Sequence, residues 1–249
     1  MRVLGIIPAR LGSTRLPNKP LQLLAGEPLI TRVVERVLEH DLVDELVVAT
    51  DSTRVADAVR RPQVRPVLTG ISHQTGTDRV AEVAARPEFA GFDICLNVQG
   101  DEPFVSREAL AGAVRGVEEG SDIGTAAAPL DPAQAHDPNR VKLVTDVRGR
   151  ALYFSRSVIP HRREASGENT IQYWQHVGVY AYSRDALARW PTLTPSADER
   201  AEQLEQLRAL YHGMTIGVAY LGHPVFPGID TPEDLRRAEA HWHASQGQV

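Results

Sequence analysis

The chain has almost no cysteine. Its one thiol, Cys95, lies in the apolar run Asp93-Ile94-Cys95-Leu96-Asn97, so an intramolecular disulfide is impossible, a zinc site is not expected, and the thiol reads as buried and inert. Long apolar runs are also missing. The opening stretch Met1–Pro8 is too short for a signal peptide and no later run could span a bilayer, so a cytoplasmic protein with no membrane insertion is expected. No long basic block occurs and the net charge is −5, which argues against a nucleic-acid partner; any anion must be gripped locally. There is no internal repeat and no low-complexity linker. With 249 residues, the chain can bury roughly 70–75% of its unfolded surface without a covalent staple, and a single domain over 1–249 is expected.

What is present is alternation. Val3–Ile7 reads as a strand; Leu29, Ile30, Val33, Val34, Val37 and Leu38 share one helical face; Glu45–Thr50, Val64–Leu68 and Ile94–Val98 read as further strands, with a helix over Asp78–Ala85. This pattern predicts an α/β fold, a mostly parallel sheet flanked by helices. Beyond residue 128 the rhythm changes. Strand-like Lys142–Thr145, Ala151–Ser155 and Val177–Tyr182 suggest a smaller, partly antiparallel inserted lobe, approximately 129–197. A helix over about 198–211, a strand over Thr215–Leu221 and a last helix opened by Thr231-Pro232-Glu233-Asp234 complete the reading. Ligands of such sheets bind beyond the carboxyl ends of the strands, so the loops starting at Pro8, Thr50 and Gln99 are expected to converge.

Those loops hold the unusual residues. Pro8–Pro20 places Arg10, Arg15 and Lys19 around Gly12 and Ser13, directly after a buried strand. Backbone amides and cations in such a turn can cradle a polyphosphate. The loop is neither a Walker A sequence nor a dinucleotide fingerprint, and charge alone does not separate it from a solvated basic loop. Asp101 stands just past a buried strand, where a carboxylate can hold a hard cation or simply form a turn. Asp230 precedes the Thr231-Pro232 helix start, where an acid favours the helix N-terminus without any metal. Thr77 can cap a helix as readily as touch a ligand.

Taken together, the loop after the first strand, His73-Gln74-Thr75-Gly76-Thr77-Asp78-Arg79, Asn97-Val98-Gln99-Gly100-Asp101-Glu102-Pro103, Tyr153-Phe154-Ser155-Arg156, His176-Val177-Gly178-Val179-Tyr180, Leu204-Glu205-Gln206-Leu207-Arg208 and Asp230–Asp234 resemble the 3-deoxy-manno-octulosonate cytidylyltransferases. The motifs run in order over nearly the whole chain. The resemblance implies a nucleotide-diphospho-sugar transferase-like fold whose smaller lobe serves dimerisation. It also implies CTP and the acid sugar 3-deoxy-D-manno-octulosonate (Kdo) as substrates, CMP-Kdo and pyrophosphate as products, Mg2+ as cofactor, a homodimer, and a role feeding lipopolysaccharide-type glycan synthesis.

By the same resemblance Ala9, Arg10, Ser13, Arg15 and Lys19 serve the CTP phosphates, Thr77 and Arg79 the nucleoside pocket, and Asp101 with Asp230 the magnesium ion. Gln99, Arg156, His176, Tyr180, Glu205 and Gln206 are implied for the sugar. Read one at a time, Arg156 could equally pair on the surface, His176 be a satisfied core histidine, and Glu205 with Gln206 an exposed helix face. The chain departs from the family pattern at His161-Arg162-Arg163 after Ile159-Pro160, within the 161–172 stretch on the sugar side. Two other functions are compatible with the sequence: a cytidylyltransferase for another acid sugar, sialic-acid-like or an amino-Kdo, and a non-catalytic nucleotide-binding relative.

Overall fold

A computed structural model describes residues 1–13, 15–73, 75–163 and 171–246. Part of the 161–172 stretch, residues 164–170, lies outside them. In chain order the elements are β1 (Val3–Ala9), β2 (Leu23–Leu24), β3 (Glu27–Pro28), α1 (Leu29–Glu39), β4 (Glu45–Thr50), α2 (Thr53–Ala58), β5 (Val64–Leu68), α3 (Gly76–Ala84), β6 (Ile94–Val98) and α4 (Arg107–Glu118). The chain continues through β7 (Ile123–Leu130), β8 (Lys142–Thr145), β9 (Ala151–Ser155), β10 (Tyr173–Ser183), α5 (Arg184–Arg189), α6 (Ala197–Glu202), α7 (Gln206–Tyr211), β11 (Ile216–Tyr220) and α8 (Pro232–Gln246). It divides into two compact units, Met1–Arg107 with Phe226–Val249, and Glu108–Val225; the lobe expected over 129–197 falls inside the second.

In the first unit β1 pairs in parallel with β4 on one side and β6 on the other, and β4 pairs in parallel with β5. These strands read as unbroken apolar runs because helices cover them. β1 is buried at every position but Pro8, β6 at all, as parallel sheets require. Cys95 is buried and free on β6. α1 turns Leu29, Ile30, Val33, Val34 and Val37 inward, the face that the apolar spacing predicts. α3 begins two residues earlier than its hydrophobic pattern suggests. Its N-cap is Thr75, whose hydroxyl accepts from the Asp78 amide while the Asp78 carboxylate takes the Thr75 amide. This capping box displaces Thr77 from the cap into the first turn.

In the second unit β7 pairs antiparallel with β10 and in parallel with β11, and β8 and β9 form an antiparallel pair that joins β10 at Gln175 and Lys142. α4 packs against β7 and β11 with no room for side chains between them. A Cβ at Gly124 would lie 1.8 Å from the Ala113 carbonyl oxygen, and one at Gly112 would lie 2.5 Å from the Ala219 Cβ. The expected helix over 198–211 is two helices. Gln203 takes a left-handed conformation with φ 52°, closing α6, and α7 starts afresh after Glu205. A run of helix formers conceals this break, because the residues that impose it lie elsewhere in the unit: Arg156 donates to the Glu202 carbonyl at 2.7 Å.

Candidate active site

From β1 the first unit grows to β4 and β5 on one side, then returns to β6 on the other. The strand order therefore reverses direction between β1 and β6, and the loops leaving their carboxyl ends open a crevice there. One is the cation-rich loop. It is not simply solvated: Leu16 is buried in a cluster with Leu24, Leu29, Ile229 and Ala238, and the Ser13 hydroxyl accepts from the Leu16 amide at 3.3 Å. Asn18, left-handed at φ 52°, turns the chain so that Lys19 opens a short 3-10 turn. The other loop starts Gln99-Gly100-Asp101-Glu102. A Cβ at Gly100 would lie 3.0 Å from the Pro8 carbonyl oxygen, so only glycine lets this loop lie flat against the end of β1.

The loops meet through charge. The Lys19 ammonium donates to Asp101 and, at 3.0 Å, to Asp230; Arg15 pairs with the other Asp230 oxygen at 3.0 Å. Asp230 reaches this point because the neighbouring Ile229 amide donates to the Asp101 carbonyl at 3.0 Å. The helix start is left to others: the Thr231 hydroxyl accepts from the Asp234 amide and the Asp234 carboxylate takes the Thr231 amide. Asp230 thus does not cap α8 with its side chain. Nor is Lys19 the exposed cation of a solvated loop, since its side chain is only 17% exposed. Burial acts to lower its pKa, but the Asp101 and Asp230 charges outweigh it and hold the pKa above the ordinary value.

Glu102 belongs to the same cluster and was not expected from the sequence, although its signal is there, as an acid directly beside Asp101. Burial, reinforced by the Asp101 charge and opposed by Lys19, pushes its carboxyl up to about 8. The shift favours the neutral acid over a third negative charge in the crevice.

The other first-unit residues fall at varied distances from this chemistry. Ala9 is the buried last residue of β1 and Arg10 is exposed beside it. Gln99 donates to the Asn97 side chain at 3.4 Å. Arg79 is 2% exposed and its guanidinium is committed to Asp51 at 2.8 Å and to the Thr69 hydroxyl. It ties α3 to the end of β4, while Thr77 is buried next to it.

The remaining predicted residues lie in the second unit. The His176 ring donates to or accepts from the Thr125 hydroxyl at 3.0 Å and sits 5.1 Å from the Tyr180 ring and 5.3 Å from Phe154. Burial pushes its pKa down to about 3, so it is a neutral imidazole. Burial, with Tyr182 and Glu205 near, raises the Tyr180 pKa well above its ordinary value, so its hydroxyl keeps its proton. Gln206 is buried at the start of α7, directly after Glu205, so this pair is no exposed helix face.

Arg156 does not pair on the surface as an ion. Its guanidinium donates to the carbonyls of Glu202 at 2.7 Å, Pro138 at 2.9 Å and Gln203 at 3.5 Å. Its amide and the Ser155 hydroxyl hold the Glu202 carboxylate at 2.9 and 2.6 Å. Beneath it Lys142, fully buried, donates to the carbonyls of Asp137, Arg140 and Arg156 at 3.1, 2.6 and 2.6 Å. Lys142 and Glu202 were also missed in the sequence, since a lone charge in a short strand carries no sign of the carbonyls it will meet.

Comparison with known proteins places this arrangement. The profile of the Cytidylyltransferase family matches residues 4–216. The chain is 54% identical over 245 residues to the 3-deoxy-manno-octulosonate cytidylyltransferase of Gemmatimonas aurantiaca, covering 97% of this chain and 95% of that one. It is 46% identical to the protein of the same name from Methylococcus capsulatus, covering 95% of each. The chain belongs to this cytidylyltransferase family. Among solved structures it matches a CMP:2-keto-3-deoxy-manno-octonic acid synthetase complexed with CTP, with TM-score 0.90, 38% identity and coverage of 98% of this chain and 100% of that one. A 4-diphosphocytidyl-2C-methyl-D-erythritol synthase from Anaerococcus prevotii, 13% identical with TM-score 0.63 over 97% of this chain and 98% of its own, shares the fold. The fold is that of the nucleotide-diphospho-sugar transferases, and no helix among the described residues of this cytidylyltransferase is long and apolar enough to cross a membrane.

Proposed function

We propose that this chain transfers CMP from CTP to Kdo, giving CMP-Kdo and pyrophosphate, in the cytoplasm where CTP is made, and that the product feeds lipopolysaccharide-type glycan synthesis. The observation that carries the reading is the cluster of Lys19 and Arg15 on Asp101 and Asp230, set where the strand order reverses, in a chain 54% identical to a named Kdo cytidylyltransferase. The sugar's anomeric oxygen forms a bond to the α-phosphorus, the bond from that phosphorus to the bridging oxygen breaks, and the bridging oxygen leaves with the electron pair on pyrophosphate. The hydroxyl proton passes to solvent. Such transfers are catalysed by alignment and charge stabilisation rather than by a covalent nucleophile.

Each residue then has a task. Arg10, Ser13, Arg15 and Lys19 bind the phosphates, with Ala9 ending the strand that presents them. Thr77 and Arg79 frame the nucleoside pocket, Arg79 by holding α3 to Asp51. For the acid sugar, Arg156 has three of a guanidinium's five N–H donors on carbonyls, which leaves two for a carboxylate. Neutral His176 and protonated Tyr180 suit sugar hydroxyls, as do Gln99, Glu205 and Gln206.

Asp101 and Asp230 fit a magnesium ion. They are hard oxygen donors already drawn together around a cation, the Lys19 ammonium. Among the described residues no group of three or more potential ligands occurs, as suits an ion that takes one or two carboxylates and completes its shell with substrate phosphate and water. Bound there, it would polarise the α-phosphate and lower the pKa of the attacking hydroxyl. Lys19 holds the two carboxylates together, and with a metal on them its ammonium would be available to the triphosphate.

The test is pyrophosphate release from CTP with magnesium, comparing Kdo with sialic acid and amino-substituted Kdo, and comparing CTP with ATP and GTP. Kdo with CTP should give the fastest turnover. Preference for another acid sugar would overturn the substrate assignment, and equal use of purine triphosphates would overturn the pocket assignment. We also propose a homodimer, supported by the exposed apolar side chains of the second unit, Val147, Leu152 and Tyr220. Sedimentation should show a dimer that Leu152→Glu weakens; a wild-type monomer would contradict it.

A further inference from the structure

The second unit contains a cavity of about 390 Å³ that the proposed reaction does not use. Its floor is glycine, at Gly116 and Gly217 where α4 crosses β11, and at Gly149 in the turn between β8 and β9. Packing explains the first two, because a Cβ at Gly116 would lie 3.0 Å from the Gly124 Cα and one at Gly217 would lie 2.8 Å from the Ser121 hydroxyl. Packing does not explain the walls. Arg115 from α4 and Arg148 and Arg150 from the β8–β9 turn all line the same space, with Glu119 the one acid among the lining residues.

Among the described residues none of these three guanidiniums has an ion-pair or hydrogen-bond partner, and neither has the Ser121 hydroxyl beside them. One carboxylate oxygen of the nearby Asp146 accepts from the Arg148 and Arg150 amides at 2.8 and 2.9 Å, and these bonds, with the charges of the same two arginines, hold its carboxyl below the ordinary range. Buried arginines of the chain do find partners: Arg79 has Asp51 and Arg208 has Glu199. Three guanidiniums line one concavity, with only Asp146 and Glu119 as acids beside them, which leaves a net positive lining that favours an anion.

We propose that this cavity binds a small phosphate-bearing anion, of the size of a diphosphate or a compact phosphomonoester, at a site separate from the Lys19–Asp101–Asp230 cluster. Guanidinium forks match the tetrahedral, multiply charged phosphate better than a point charge, and bind it through paired N–H donors. The Ser121 hydroxyl supplies a further donor. The volume lies near the lower end of the range for small-molecule sites, which fits a compact ligand and not a polymer backbone. The site belongs to one unit and its existence does not depend on which nucleotide or sugar the enzyme uses.

The test uses the full-length protein, inorganic pyrophosphate as probe, and amide NMR. With CTP present to occupy the phosphate loop, pyrophosphate should shift the Gly116, Gly149 and Gly217 amides saturably. Arg115→Ala/Arg148→Ala, both at exposed positions, should weaken that binding at least tenfold without changing the thermal unfolding midpoint appreciably, and Arg148→Lys should weaken it less. Shifts confined to residues 10–19, or an unchanged affinity in the double variant, would overturn the site. Equal saturation by succinate, which carries two charges but no phosphate, would overturn the ligand class.

Discussion

Two clusters of charge, one in each unit, are used in opposite ways. In the first, Lys19, Arg15, Asp101 and Asp230 are partly exposed and satisfy one another with nothing but charge, so any ligand bringing cations or anions of its own can replace those partners. In the second, charged groups are spent on the frame: Lys142 on three carbonyls, Arg156 on three more, and Arg208 on Glu199 with both side chains below 10% exposure. Two of the groups proposed there for the sugar, His176 and Tyr180, are a neutral imidazole and a protonated phenol. Exchangeable ion pairs mark a place where charge must be traded during the reaction. Charges locked onto backbone mark a place where shape must be kept.

The sharpest way to break this contrast is Glu199→Ala. It takes the carboxylate from the Arg208 guanidinium, which makes three contacts to Glu199 at 3.2, 2.9 and 2.5 Å and lies over the Trp190 ring. Loss of one partner of such a buried pair should cost about 3–5 kcal/mol in denaturant unfolding. A loss below about 1 kcal/mol would show that the second unit's charges are no more fixed than the first's.

Lys142→Met keeps the stem of the side chain and removes the ammonium from three carbonyls. It should cost about 2 kcal/mol in unfolding and raise KM for the acid sugar more than KM for CTP, because the Arg156 backbone loses its support. Equal changes in both constants would place Lys142 outside the sugar side.

His176 offers a pH test. Its folded pKa is held near 3 by burial, while in the unfolded chain it titrates near 6.5. The folded protein therefore stays neutral at this residue as the unfolded chain takes up a proton. Its stability contribution is complete above about pH 6.5 and is lost as pH falls toward 3, by up to about 1.4 kcal/mol per pH unit. Between pH 6.5 and 5 the wild type should lose stability more steeply than His176→Gln; parallel curves would mean that the ring is solvated.

The smallest effect is in the first unit. Lys19→Ala should cost about 1 kcal/mol, since its partners remain partly hydrated, and magnesium should restore that loss by replacing one cation with another. Destabilisation that magnesium leaves unchanged would remove the equivalence on which the site rests.

Sequence legibility divides along the same line. β4, β5, β6, β8 and β9 are found where the apolar runs place them, and the loops after β1 and β6 meet because strand polarity leaves them little choice. The family motifs hold the residues proposed for the chemistry. What stays hidden is set by partners distant in sequence. Thr75 rather than Thr77 caps α3 because Asp78 can reach back to it. α6 and α7 separate at Gln203, where Arg156 holds the carbonyls of the last turn. Lys19 reads as a surface lysine until Asp230, 211 residues away, is brought beside it. α4 and β7 have small residues where a hydrophobic pattern would show large ones, since Gly112, Gly116 and Gly124 bring helix and strand nearly into backbone contact.

Magnesium dependence of pyrophosphate release in Asp101→Asn and Asp230→Asn, measured beside thermal unfolding, tests the account most directly. Each variant should lose at least about a hundredfold in turnover, as expected when a charged ligand is removed from a hard cation and its field from the α-phosphate, and each should need more magnesium for what activity remains. Their unfolding midpoints should change little, because Asp230 does not cap α8 with its side chain and Asp101 keeps its backbone bond to Ile229. Near-normal turnover with an unchanged magnesium requirement in either variant would contradict the assignment of that carboxylate to the metal.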